Sequence, residues 1–131
     1  MTTIITKSID GGGGGDYTTF TAAEADVANI GTSADLVAND EAIVFEAVAG
    51  TYAESFISDS STTGPALTTD ATRNVTYKNA AGSYHDGVPG AGVKVTSASI
   101  VISVEDAHTN LDGLEVVSTT SGGSTLYMRG Y

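Results

Sequence analysis

Cysteine is absent from the 131 residues, proline occurs twice and basic residues only five times. With no thiol, disulfides and thiolate metal sites are excluded. The five bases, Lys7, Arg73, Lys78, Lys94 and Arg129, are scattered along the chain. Phosphate recognition needs such residues clustered, so nucleic acid and anionic membrane surfaces are excluded as partners. Long apolar runs are missing too: no stretch approaches the roughly 18 apolar residues of a membrane span, and the N-terminal residues MTTIITKSIDGGGGG hold no apolar core of a signal peptide. The chain is therefore expected to be made and released in the cytoplasm, without a signal peptide, and a surface destination would need a lysing host or a dedicated secretion route.

What is present points to a single all-β domain. The composition is 40% hydrophobic and only 16% charged, too apolar for intrinsic disorder. Sixteen glycines with abundant Thr, Ser and Val read as short strands joined by tight turns. Sixteen acids against five bases give a net charge of −11, which favours solubility and repulsion between copies.

Residues 2–9 alternate weakly, as a short strand or an arm, and residues 11–15 are all glycine, so residues 1–15 are expected to form a flexible or arm-like segment. A phosphate-cradling loop would need a Lys and a hydroxyl residue after the glycines, and Asp16-Tyr17 stands there instead. Thr21-Ala22-Ala23-Glu24 has capping-box spacing, and Phe20, Val27 and Ile30 lie among alanines before Gly31, which predicts a helix near 20–30. Short alternating runs follow at Ile43–Val48, Val75–Lys78, Val93–Thr96, Ile100–Val104, Leu114–Val117 and Thr125–Met128. Between them, residues 58–72 and 79–92 read as loops.

Val75 to Val95 is 20 residues, Val93 to Leu114 is 21 and Ile102 to Leu126 is 24. Strand pairs returning at such intervals suggest a solenoid. Hairpin turns of the Asn-Gly or Asp-Gly kind are scarce, which weighs against a β-sandwich. The inward set expected on this reading is Ile43, Phe45, Val75, Tyr77, Val93, Val95, Ile100, Ile102, Val104, Leu114 and Val116, with Lys94 and Glu115 facing outward from paired strands.

The run Gly14-Gly15-Asp16-Tyr17-Thr18-Thr19-Phe20, the helix after it, and Val44 through Val48-Ala49-Gly50-Thr51-Tyr52-Ala53-Glu54 resemble the opening of pectate-lyase-like right-handed β-helix proteins, which include phage tailspikes. Asn110-Leu111-Asp112-Gly113-Leu114-Glu115-Val116 resembles the motif that recurs in their coils. The resemblance covers most of residues 14–117. It implies a short right-handed parallel β-helix of roughly four coils over residues 16–131, capped by the N-terminal helix. It also implies a non-enzymatic bacteriophage virion protein, either a capsid decoration or a tail fibre or spike component. The alternative is a carbohydrate-active enzyme or glycan-binding protein. The acids that hold Ca²⁺ and the base of the family's lyases map onto no residues here, so no catalytic, cofactor or metal residue is assigned.

Two surfaces are candidates for contact. Tyr84, His85 and Asp86 lie in the second long loop and could meet a sugar or a neighbouring subunit. Leu126, Tyr127, Met128 and Tyr131 make an apolar, aromatic end, and an uncovered solenoid end templates association. A partner subunit is therefore expected over them, with a homotrimer as the first arrangement or another virion protein in its place. Glu105-Asp106-Ala107-His108 with Asp112 has the residue types of metal binding or acid–base work but lies in a turn between strands and reads as solvated acids. Asp35 with Asp40 and Glu41 lacks the spacing of a dedicated Ca²⁺ loop. Asp70 and Arg73 read as a surface ion pair.

Overall fold

The computed structural model describes residues 1–59, 64–123 and 125–128. In chain order it runs β1 (Thr3–Ile9), α1 (Phe20–Ile30), α2 (Leu36–Asn39), β2 (Glu41–Ala47), β3 (Gly50–Ala53), β4 (Phe56–Ser58), β5 (Val75–Asn79), β6 (Val93–Ser97), β7 (Ile102–Val104), β8 (Thr109–Asp112), β9 (Glu115–Ser118) and β10 (Leu126–Met128). These strands form three small sheets, ordered β1-β2-β5-β8, β3-β6-β9 and β4-β7-β10. Every pairing within them is parallel.

The expected right-handed β-helix of about four coils is corrected by this arrangement: the described residues give separate small parallel sheets and no closed solenoid. Parallel strands need a crossover of a dozen residues or more whatever the fold, so returns in the twenties report parallel pairing and not closure. The returns are also irregular. Tyr52 pairs with Val95, 43 positions on, and Val95 with Val116, only 21 on. Of the three intervals read from sequence, Val75 to Val95 joins strands of different sheets.

Residues 3–9 are a full strand, matched to β2 over seven positions from Thr3↔Glu41 to Ile9↔Ala47. The glycines after it are tied down by Asp10, whose carboxylate accepts from Gly12 N at 2.8 Å and Gly14 N at 3.2 Å. Those amides, which an anion would otherwise seek, already have one. Asp16 accepts from the Ser8 N–H at 2.8 Å and from Lys7 at 3.2 Å, closing the loop back onto β1. These bonds, the Ser8 backbone first, hold the Asp16 carboxyl below its ordinary range.

The helix expected near 20–30 is present as Phe20–Ile30, but its cap differs from the expected box. Thr19 is the N-cap, its hydroxyl accepting from Ala22 N at 3.0 Å. Glu54, beyond β3, accepts from Phe20 N at 2.8 Å and Thr21 N at 2.9 Å, placing a carboxylate at the positive end of the helix. The helix buries Phe20, Ala23, Glu24, Val27 and Ala28.

One aromatic cluster joins the helix to all three sheets. Phe45 and Tyr77, register partners on β2 and β5, stack at 4.8 Å with an interplanar angle of 10°. Phe56 of β4 meets Tyr77 edge-on at 4.8 Å, and Phe20 of α1 meets Tyr52 of β3 at 5.0 Å. The expected inward residues Ile43, Phe45, Val75, Tyr77, Val93, Val95, Ile102 and Val104 are buried, although in β7 the intervening Ser103 is buried too. Ile100 departs from it: it is exposed while Val101 is buried, because the strand begins only at Ile102. Leu114 and Val116 are half-buried against the core. Lys94 and Glu115 are register partners, as expected.

Candidate functional site

The third sheet carries the larger hollow. Across β4, β7 and β10 the register aligns Ile57, Ser103 and Tyr127 on one face and Phe56, Ile102 and Leu126 on the other. The first face is the outer one, since Ile57 and Tyr127 are exposed while Phe56 and Ile102 are fully buried. There, Ser55, Ile57, Ser99, Ile100, Ser103, Glu105 and Tyr127 line a groove of about 420 Å³. Ser103 is buried and its hydroxyl donates to Glu105 Oε1 at 3.1 Å, which fixes the charged side chain that lines the groove among the described residues.

On the inner face the column ends unfinished. Phe56 and Ile102 are fully buried, but Leu126, next in register, is 47% exposed. Among the described residues β10 is an edge strand, paired to β7. Of the expected contact residues, Leu126 and Tyr127 thus lie together on one uncovered strand, on opposite faces. The side chain of Met128 and all of Tyr131 lie outside the described residues.

The second expected contact group is held differently. Tyr84 is 69% exposed and, with Lys78, Asn79, Asp112 and Gly113, borders a hollow of about 120 Å³. His85 and Asp86 are occupied in shaping the loop. His85 Nδ1 accepts from Gly87 N at 3.0 Å and its Nε2 stands 3.7 Å from Glu115, while Asp86 accepts from Val88 N at 3.0 Å. Glu115 also accepts from Gly90 N at 2.8 Å, so the carboxylate opposite Lys94 in the register pins this loop instead. Of the three residues, Tyr84 alone is left to present its ring.

The acidic groupings disperse. Glu105 lines the groove, Asp112 lies beside Tyr84, and His108, at φ +55°, points its ring toward Thr69. Asp35 caps α2 through Ala38 N at 2.9 Å, and Glu41 accepts from Thr32 N at 2.9 Å. Asp40 meets Thr2 at 2.9 Å and Arg73 at 3.0 Å, so these hold its carboxyl below its ordinary range. Arg73 also pairs with Asp70 at 2.8 Å, and the Arg73 and Thr72 backbone amides, ahead of that guanidinium, bring Asp70 down to about 2. Among the described residues no three His, Asp or Glu side chains are arranged to hold a metal ion.

Sequence reasoning missed Glu24, read as half of a capping box. It is buried beneath α1, where the Tyr77 hydroxyl donates to its Oε2 and Oε1 has no hydrogen-bond partner. The signal was there: Phe20, Ala23, Glu24 and Val27 fall at i, i+3, i+4 and i+7, so the acid stands on the apolar face.

Comparison of the chain with protein families, with curated proteins and with solved structures gives no match. Any functional reading therefore starts from the surfaces just described.

Proposed function

We propose that the chain is a non-enzymatic structural protein of a bacteriophage particle, a capsid decoration or a component of a tail fibre or spike, that works by docking its β10 margin against another subunit. The observation that carries this reading is Leu126, exposed at the end of a column whose other members are sealed. An edge strand with one open side and an apolar or aromatic residue on each face is a template for association. The partner favoured is a further copy of the chain, a trimer being the first arrangement to test, with another virion protein the alternative. Assembly would then take place in the host cytoplasm. Among the described residues no helix is long and apolar enough to cross a membrane. Sedimentation of the purified protein, together with co-purification from virus particles, tests the proposal. Defined oligomers or particle-bound copies are expected. A soluble monomer at micromolar concentration that is absent from particles would overturn it.

A glycan-binding reading has one observation in its favour: the groove sets the Tyr127 ring beside Glu105 and three serines, an apolar face with hydrogen-bonding groups around it. Hydrolysis of a glycan calls for two carboxylates flanking the bond, about 5–10 Å apart. Among the described residues the groove lining supplies one, Glu105. Binding without turnover is the form this reading takes, and a polysaccharide depolymerisation assay beside a binding assay separates the two.

A further inference from the structure

We propose that Glu24 is a proton latch for α1: with its carboxyl protonated the helix stays docked on the sheets, and with the proton lost the helix loosens while the sheets remain intact. The geometry starts from the position of Glu24 on the buried face of α1, 4% exposed, between Ala23 and Val27 in the core. A carboxylate removed from water is tolerated only where its charge is matched or absent. Among the described residues no cation is paired with it. The groups that face it from the packed elements are Tyr77 of β5, which donates one hydrogen bond, and two further acids, Asp59 after β4 and Asp106 after β7. Asp106 N donates to Ser58 O at 2.9 Å, which brings the two acid-bearing turns together.

Oε1 gives the second reason. It is buried with no hydrogen-bond partner among the described residues, although the Asp59 backbone hydrogen-bonds the carboxylate and favours its charged form. Ionised, Oε1 is a charged acceptor buried without a partner; protonated, it is a neutral hydroxyl, which costs far less to leave unpaired, while Oε2 still accepts from the Tyr77 hydroxyl. Burial, the largest cause, pushes the Glu24 carboxyl from 4.5 up to about 7; the Tyr77 hydrogen bond lowers it and the Asp106 and Asp59 charges raise it. Tyr77 itself is pushed well above its ordinary value, by burial first and then by Glu24, so it stays a donor throughout.

The direction of the pH effect follows. A carboxyl raised in the docked state contributes stability that is complete below 4.5 and is lost as pH rises through about 7. The helix is the element this concerns because it packs over β1, β2 and β4 without being part of a sheet. Its loosening uncovers Phe20 and the aromatic residues beneath it. A chain built this way is closed in mildly acidic surroundings and opens at its helix in mildly alkaline ones.

Hydrogen exchange on the full chain, corrected for intrinsic rates, tests the latch by comparing α1 amides with those of β2 and β5. Between pH 5.5 and 8 the opening constant of α1 should rise about thirtyfold, while the strand amides keep their protection. Glu24→Gln keeps an acceptor for Tyr77 without the charge and should abolish the rise. Asp106→Asn, a change outside the core, should leave a smaller rise that levels off at lower pH, and it decides the matter if the Gln variant does not fold. A flat wild-type profile, a rise that survives in Glu24→Gln, a rise unchanged in Asp106→Asn, or strands that lose protection in step with the helix would each overturn the proposal.

Discussion

The two margins of the sheets are finished in opposite ways. On the side of α1, Phe20, Tyr52, Phe56 and Tyr77 are nearly or fully buried, and their rings interlock across three sheets and the helix. On the side of β8, β9 and β10, Leu111, Leu114 and Val116 are only partly covered and Leu126 is largely bare. A parallel sheet is stable when its apolar faces are covered, because its strands carry little polar surface to offer water. The chain supplies that cover at one margin from its own helix. At the other, strands of three and four residues end the sheets with nothing described beyond them. Stability and availability for contact are thus divided between the two margins.

If that division is real, the same kind of truncation should cost very different amounts at each margin. Phe20→Ala removes a fully buried ring in contact with Tyr52, Phe56 and Tyr77. It should destabilise the fold by about 3–5 kcal/mol, the range for a buried aromatic replaced by alanine. Urea unfolding measures it. A loss below about 1 kcal/mol would mean that the helix is not what closes this margin.

A smaller effect separates packing from capping at that margin. Glu54→Ala leaves the aromatic cluster untouched and removes the carboxylate that accepts from Phe20 N and Thr21 N. The expected loss is about 1–2 kcal/mol, as for other N-terminal caps. Thermal unfolding at low and high salt checks it, since the part due to the helix dipole shrinks with screening. A salt-independent loss would assign the whole effect to the hydrogen bonds.

What could be read from the sequence was local. The helix was visible because Phe20, Val27 and Ile30 recur at helical spacing and Gly31 stops them; β2 and β5 were visible because Ile43 with Phe45, and Val75 with Tyr77, alternate cleanly. Register at β6 and β9 was visible too, in the match of Lys94 to Glu115. Closure was not legible, because alternation and spacing are the same whether or not parallel strands close into a solenoid. The Ile100 error arose where Ile100, Val101 and Ile102 are consecutive apolar residues and alternation loses its phase. Glu54 and Glu24 were missed as partners of the helix and of Tyr77 because both contacts join residues more than 30 apart. At the candidate site, sequence singled out Leu126, Tyr127 and Tyr84, which are apolar or aromatic where turns predominate. It missed Ile57, Ser103 and Glu105, since only the pairing of β4 with β7 brings them to one groove.

The smallest expected effect on stability falls at the open margin, and there the comparison is sharpest. Leu126→Ser with Tyr127→Ser replaces two side chains that are 47% and 41% exposed. Partly exposed positions on an edge strand contribute little, so the isolated chain should lose no more than about 1 kcal/mol in urea unfolding. Association is where the variant should differ. Under the proposed function, the same two changes should shift the sedimentation profile toward monomer or prevent recovery with particles, because apolar contacts at the centre of an interface dominate its free energy. Phe20→Ala should do the reverse, weakening the fold without changing the docking surface of the molecules that remain folded. A double serine variant that assembles as the wild type does would dissociate the open margin from any role in contact, and the division between the two ends of the molecule would then concern stability alone.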